Sequence, residues 1–277
     1  MRRHIIYKNQ PKIISTSSIA GPKECFGCLS DYIQIKLKDD MMGQKTFEKA
    51  ESRMMFSVIK SAIENSKLHE KQIDAIIAGD LLDQIVSSTF AVRNFKSGYL
   101  GVYNACATFT ESLILGSTLI DGNYLSNVVC ATSSHFSSAE RQYRYPLELG
   151  STRPPQSQWT VTGGGASVLS LNGFGPKIVS ATIGKIVDFG VVDVNNMGAA
   201  MAPATADTIS THFVESNTNP SDYDLIITGD LGVLGSRILK DLTWEKGYDI
   251  SKQHVDCGEM VYNIYEDEYQ GGSGAGC

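Results

Sequence analysis

Apolar positions switch between two periods along this chain, which reads as strands alternating with helices. Lys12–Ser18 is the first expected strand. Between Phe47 and Ser66 the apolar residues fall at Ala50, Met54, Met55, Val58, Ala62 and Ile63. Steps of three and four put them on one stripe, so an amphipathic helix is predicted there. Ile73–Ala78 is a short apolar run stopped by Gly79 and Asp80, which suits a buried parallel strand. Leu100–Tyr103 is another short strand. Cys106 then opens CATFTESLILGSTLI, a segment with helical periodicity. Asn127–Thr132 reads as a further buried strand, Ser133–Gln158 as a polar stretch, and WTVTGGGASVLSL as strand again. Such alternation predicts an α/β layered sheet.

The pattern repeats. IDAIIAGDL (Ile73–Leu81) matches YDLIITGDL (Tyr223–Leu231), with Asp80 and Asp230 at equivalent places 150 residues apart. NAC ending at Cys106 has a counterpart in VDC ending at Cys257, 151 residues on. The helix Phe47–Ser66 has a partner near Ala202–Ser216. The chain therefore reads as two pseudo-symmetric α/β halves, residues 1–175 and 176–277. Each half carries an Asp after one strand and a Cys at a later helix start. The first copy runs far beyond its cysteine and the second does not, so the second half is expected to be truncated. A missing strand would leave unpaired backbone groups and an apolar edge.

Composition narrows the function classes. Of 277 residues, 42% are hydrophobic and 19% charged, a balance that supports a core and not a disordered chain. The formal charge of −6 argues against nucleic acid as a partner, because phosphate binding needs a clustered basic face. No apolar run reaches the roughly 20 residues that span a bilayer, and MRRHIIYKNQPK lacks the apolar stretch of a secretory signal. An intracellular protein without its own membrane anchor is expected. Cysteines at 25, 28, 106, 130, 257 and 277 are too few for a disulfide scaffold. Cys25 and Cys28 form a CxxC pair, but no second pair completes a zinc site, so no metal is expected.

The candidates for chemistry follow from position. Cys106 comes after a strand and opens a helix, where amide N–H groups and the helix dipole lower a thiol pKa. The alternative is a small buried apolar residue. Asp80 and Asp230 end equivalent strands, where ligands gather in α/β sheets. The alternative is a helix N-cap, the role expected of Asp230. Cys257 is the repeat partner of Cys106, and a pseudo-twofold would bring the two cysteine loops together. Of the histidines, His135 and His254 sit near such a place. The glycine clusters at 163–165 and 271–276 lack the residues of a phosphate loop and read as tight turns or close backbone packing. Arg141, Arg144 and Arg153 with Tyr143 and Tyr145 form a basic-aromatic loop, open to a carboxylate ligand, a protein partner or solvent.

A duplicated α/β unit with a cysteine opening a helix resembles the thiolase superfamily. The segments GDLLDQI, YNACATFTESL, TSSHFSSAERQYRYP, RPPQSQWTVTGGGASV, TGDLGVLGS and VDCGEMVY together resemble the stage V sporulation protein AD family within it. The resemblance runs from about Lys12 to Cys277. It implies a thiolase-like fold that binds dipicolinic acid and serves its uptake into the developing spore. It implies membrane partners from the same operon, a peripheral place at the spore inner membrane, and a homodimer. Carried over, Asp80, Cys106 and Cys257 match the family's ligand pocket, with His135 beside them. The chain departs from the family at Ala275, where a cysteine is usual, and the family continues for several dozen residues more.

A condensing enzyme of this superfamily needs a nucleophilic cysteine, a base and oxyanion donors. The second-half loop that carries the base there reads TGDLG here, with Asp230 and no His. The expectation is therefore a ligand-binding protein without turnover. Acyl transfer through Cys106 and a purely structural subunit of a spore membrane complex are the alternatives. Dipicolinate is a dianion, and Asp80 would repel it by about 4 kcal/mol at about 4 Å. Asp80 escapes if it is protonated, turned away as a cap, or bridged by a Ca²⁺ that the ligand carries; the bridge is the expectation. No other cofactor is expected.

Overall fold

The structure is a computed structural model that describes residues 2–147 and 152–276. Residues 148–151 of the expected polar stretch, and Cys277, lie outside the described residues. In chain order the elements are β1 His4–Ile6, β2 Lys12–Ala20, β3 Ile35–Lys36, α1 Phe47–Ser66, β4 Ala75–Gly79, α2 Val86–Val92, β5 Gly98–Gly101, α3 Thr108–Asp121 and β6 Asn127–Ser134. They continue with β7 Trp159–Thr160, β8 Gly163–Ser170, β9 Ser180–Thr182, α4 Met197–Ser216, β10 Ile226–Thr228, α5 Gly232–Glu245, β11 His254–Asp256, α6 Cys257–Met260 and β12 Ser273–Ala275. Contacts group these into two compact units. One holds residues 6–140 and 160–180, the other Arg141–Trp159 and Ala181–Ala275 with a short N-terminal segment.

In the first unit six strands form one mixed sheet in the order β3-β2-β8-β6-β4-β5. β4 runs parallel to both β5 and β6, while β8 runs antiparallel to β6 and β2. Successive side chains of a strand point to opposite faces. Ile76, Ala78, Val129, Ala131, Ala166 and Val168 pack with Met54, Met55, Val58 and Ile59 of α1 and Ala91 and Val92 of α2. Ile77, Val128, Cys130 and Leu169 pack with Ile120 of α3. Both faces are covered, which is why the central strands read as unbroken apolar runs. The predicted helix is α1 itself. Thr46 caps its first turn by accepting the Lys49 N–H at 3.3 Å, and Lys67 ends it in the left-handed region at φ 62°. The glycine cluster 163–165 is not a turn. It lies inside β8, where a Cβ on Gly163 would stand 2.6 Å from the Ile19 carbonyl oxygen, so close strand packing is what requires glycine there.

The second unit repeats the order of elements. A 20-residue helix, α4, begins five residues before the predicted segment and ends at Asn217 with φ 57°. A short helical turn follows, Pro220–Asp222, as Glu70–Gln72 follows α1. Then β10 pairs in parallel with β11, as β4 does with β5. α4 and α5 touch through Gly198 and Gly235, where a Cβ on Gly235 would lie 2.7 Å from the Gly198 Cα. Ala202, Ala206, Phe213, Leu231, Leu239 and Ile250 form this unit's core. Ile227 of β10 is 58% exposed, whereas its repeat counterpart Ile77 is fully buried. The stretch Arg141–Trp159, expected to lie within the first half, groups with this unit instead. The reason is Gln158 and Trp159, which bond to residues 198, 230, 268, 272 and 273.

Candidate functional site

Gly79 ends β4 and lets two loops approach the strand. A methyl group on it would run into the Val102 carbonyl oxygen, and it would stand 2.7 Å from Thr108 Cγ2 at the start of α3. The strand end carrying Asp80 and the loop carrying Cys106 can close together only because this position is bare. Gly79→Ala is expected to cost about 2–3 kcal/mol in a urea titration. A midpoint equal to wild type would refute the tight approach.

Asp80 is 1% exposed. Its carboxylate accepts the Leu82 N–H at 2.8 Å, the Ser88 N–H at 2.6 Å and the Ser88 hydroxyl at 2.5 Å. Burial raises its pKa, and these donors offset only part of the rise. The carboxylate is thus turned into its own loop, as an acceptor of α2 and of the turn before it. That loop is strained: Gln84 has φ 57° and Ile85, which is β-branched, has φ 48°. It is tied to the segment after β6, where Glu140 donates its N–H to Leu81 O at 3.0 Å and its carboxylate accepts the Asp83 N–H at 2.7 Å.

Beside Asp80 lies an acid that the sequence reading missed. Glu51 of α1 is fully buried and accepts hydroxyls from Ser133 at 3.1 Å and Ser138 at 2.6 Å. Burial, reinforced by the charge of Asp80, pushes its pKa up to about 8, so at neutral pH it holds its proton. The sequence signals its burial but not its partners: Glu51 sits within the apolar stripe, next to Ala50 and three residues before Met54.

Cys106 lies in the short turn Ala105–Ala107 that leads into α3, where helix-opening was expected, and it is half-buried. Ala105 before it has φ 46°, a further strained non-glycine position after Gln84 and Ile85. His135 follows β6 and is fully buried. Its Nε2 faces the Asp40 carbonyl oxygen at 2.9 Å and its Nδ1 accepts the Ser137 N–H at 3.0 Å. These partners assign the proton to Nε2, and burial lowers its pKa. The first unit thus gathers Asp80, Glu51 and the loops of Cys106 and His135 at the carboxyl ends of β4, β5 and β6, where α/β sheets place ligands.

In the second unit the equivalent strand end is wired differently. Asp230 itself adopts φ 63° and accepts the Ser273 hydroxyl at 2.7 Å. The expected N-cap role falls to Asp256, whose carboxylate accepts the Gly232 N–H at 2.9 Å and the Thr228 hydroxyl at 2.6 Å. The chain leaves β10 in a left-handed turn, which carries the Asp230 side chain away from the start of α5. His254 Nε2 meets the same Thr228 hydroxyl at 2.8 Å. Cys257 is the first residue of α6, a helix of only four residues. Burial, then the charges of Asp256 and Asp230, push its thiol up to about 11. These influences outweigh so short a helix dipole. Arg153 of the basic-aromatic loop stacks over Trp159 at 4.2 Å and donates to the carbonyls of Tyr145 and Gln158, so it holds its own loop in place.

A family profile described as stage V sporulation protein AD matches residues 1–277. The stage V sporulation protein AD of Bacillus subtilis (strain 168) is 41% identical over 273 residues, which cover 98% of this chain and 80% of that one. The chain belongs to the stage V sporulation protein AD family. Solved structures show the fold of the family as thiolase-like. A 3-oxoacyl-(acyl-carrier-protein) synthase III from Aquifex aeolicus VF5 superposes with a TM-score of 0.55 at 14% identity, over 96% of this chain and 87% of that one. OleA of Xanthomonas campestris gives 0.63 at 10% identity, over 91% and 85%. The α/β, thiolase-like architecture expected from the repeat is therefore the one found.

Two further expectations concern metals and membranes. Among the described residues, no group of three or more His, Cys, Asp and Glu side chains is arranged to hold a metal ion. Cys25 of the CxxC pair is half-buried, with its Sγ 3.7 Å from the Ala20 carbonyl, and burial raises its thiol pKa, the opposite of a redox-active thiol. Among the described residues no helix is long and apolar enough to cross a membrane.

Proposed function

We propose that this sporulation protein binds dipicolinic acid without turning it over and serves its uptake into the developing spore, working with membrane proteins of the same operon. What carries the reading, given the family, is how the acids and bases near the two cysteines are already engaged. Both nitrogens of His135 are engaged by the backbone, and Asp80 takes three donors. In the second unit Cys257 is pushed to about 11 and the loop after β10 carries Asp230 in place of a histidine. A thiol nucleophile needs a base free to take its proton, and a binding pocket does not. In this reading Cys106 contributes a neutral thiol. Asp80 and His135 fix the loops around the ligand, and the inward turn of Asp80 spares the dianion the repulsion expected of it. Ca²⁺, where present, comes with the ligand as cargo.

Calorimetric titration with pyridine-2,6-dicarboxylate, with and without Ca²⁺, tests this. Saturable binding is expected, weakened about tenfold by Cys106→Ser or Asp80→Ala. Incubation with acyl-thioesters should add no mass to Cys106. Acylation of Cys106 with turnover would establish the condensing enzyme that the structural neighbours exemplify. Neither binding nor acylation, with assembly onto membrane partners retained, would establish a structural subunit. Equal affinity with and without Ca²⁺ would remove calcium from the reading.

A further inference from the structure

The geometry points to a second binding site, a cleft between the start of α1 and α2 that takes a small anion carrying a flat ring. The cleft has a volume of about 570 Å³ and is lined by Lys49, Arg53, Phe56, Ser87, Phe90 and Arg93, with Glu48 as its acidic member. That volume is the size of a small-molecule site. Two guanidinium–phenyl stacks frame it: Arg53 stands 5.3 Å over the ring of Phe56 on α1, and Arg93 stands 4.8 Å over the ring of Phe90 on α2.

Three observations point to this ligand chemistry. Among the described residues, Lys49, Arg53 and Arg93 make no ion pair, while the chain as a whole carries −6. Three cations against one acid, gathered in one concavity of an acidic protein, create a local field for an anion. Stacking on the phenyl rings limits the freedom of both guanidiniums, so their in-plane N–H donors are preorganised for a carboxylate or phosphate. Phe90 is 49% exposed, an apolar face that a ligand ring would cover. The three cations and the cleft volume limit the ligand to small-molecule size. Of its lining, Ser87 also reaches Glu51 beside Asp80, but the cations and rings that would take the ligand do not belong to that cluster, and the proposal does not rest on the dipicolinate reading.

Titrating the full chain with phenyl phosphate, benzoate, cyclohexyl phosphate and inorganic phosphate tests the proposal. At least one of the two ring-bearing probes should bind saturably. Its affinity should exceed that of cyclohexyl phosphate and inorganic phosphate by about tenfold or more, and should fall as salt is raised. Tighter phenyl phosphate assigns the natural ligand to the phosphates, and tighter benzoate to the carboxylates. The Arg53→Gln, Arg93→Gln double variant should lose about tenfold or more. Both residues are exposed, so it should melt like wild type, and Phe90→Ala provides an independent variant with the same expected loss. No saturable binding by either ring-bearing probe, equal binding of the saturated ring, or undiminished binding by the double variant and Phe90→Ala would each overturn the site. None of these probes is a pyridine dicarboxylate, so failure here leaves the proposed function standing.

Discussion

Glu51→Gln is expected to make the protein more stable than wild type at pH 8, while near pH 5 the two should be close. Glu51 is fully buried and its pKa in the fold is pushed from 4.5 to about 8. Between those values the folded chain keeps a proton that the unfolded chain releases. Stability therefore falls as pH rises through that window and levels off above it. One proton corresponds to about 1.4 kcal/mol per pH unit, so the full fall is on the order of 5 kcal/mol before any relaxation of the site. Glutamine keeps the shape and an acceptor for Ser133 or Ser138 but has nothing to titrate, so the fall should be absent. Asp80 also has a raised pKa and adds a slope of the same sign, which the difference between variant and wild type cancels to first order. Urea titrations at pH 5, 6, 7 and 8 read the gap directly. A constant gap would mean that Glu51 is ionised throughout.

The same residue shows what could be read from the sequence and what could not. Helix α1 was legible to the residue because its apolar stripe is a local signal. The duplicated unit was legible because strand, turn and helix recur at a fixed spacing. Glu51 was not legible as a site because its partners come from 82 and 87 residues away. A lone acid in a stripe shows its environment only once β6 and the turn after it are packed on α1. For the glycines 163–165 the sequence left tight turns and close backbone packing both open; the choice falls to packing because the requirement comes from the backbones of β2 and β6 on either side of them. Asp80 and Asp230 occupy equivalent sequence positions, but their environments diverge. One accepts from its own α2, while the other takes Ser273 and leaves the start of α5 to Asp256. Repetition in sequence predicts elements better than it predicts the hydrogen bonds of the loops between them.

Gln158→Leu should unfold the second unit early. Gln158 is 3% exposed and joins three segments of that unit. Its Nε2 donates to the Ser273 carbonyl at 2.7 Å and the Asp230 carbonyl at 3.2 Å, and its Oε1 accepts the Gly198 N–H at 2.8 Å. One amide thus fixes the strained turn after β10, the strand β12 and the first turn of α4. Leucine has about the same volume and no polar atoms, so it fills the space and strands one buried N–H and two carbonyls. Each stranded group costs about 1–3 kcal/mol, and a total near 3–5 kcal/mol is expected because the carbonyls keep some freedom to relax. Gln158→Glu should be nearly as damaging, since a carboxylate would face the Ser273 and Asp230 carbonyls without a proton to donate. The measurement is specific to this unit, because both tryptophans, Trp159 and Trp244, belong to it. Urea unfolding followed by tryptophan fluorescence should shift to lower denaturant, and labelling of Cys257 by a thiol reagent should quicken. A wild-type fluorescence midpoint in Gln158→Leu would mean that the amide does not hold these segments together.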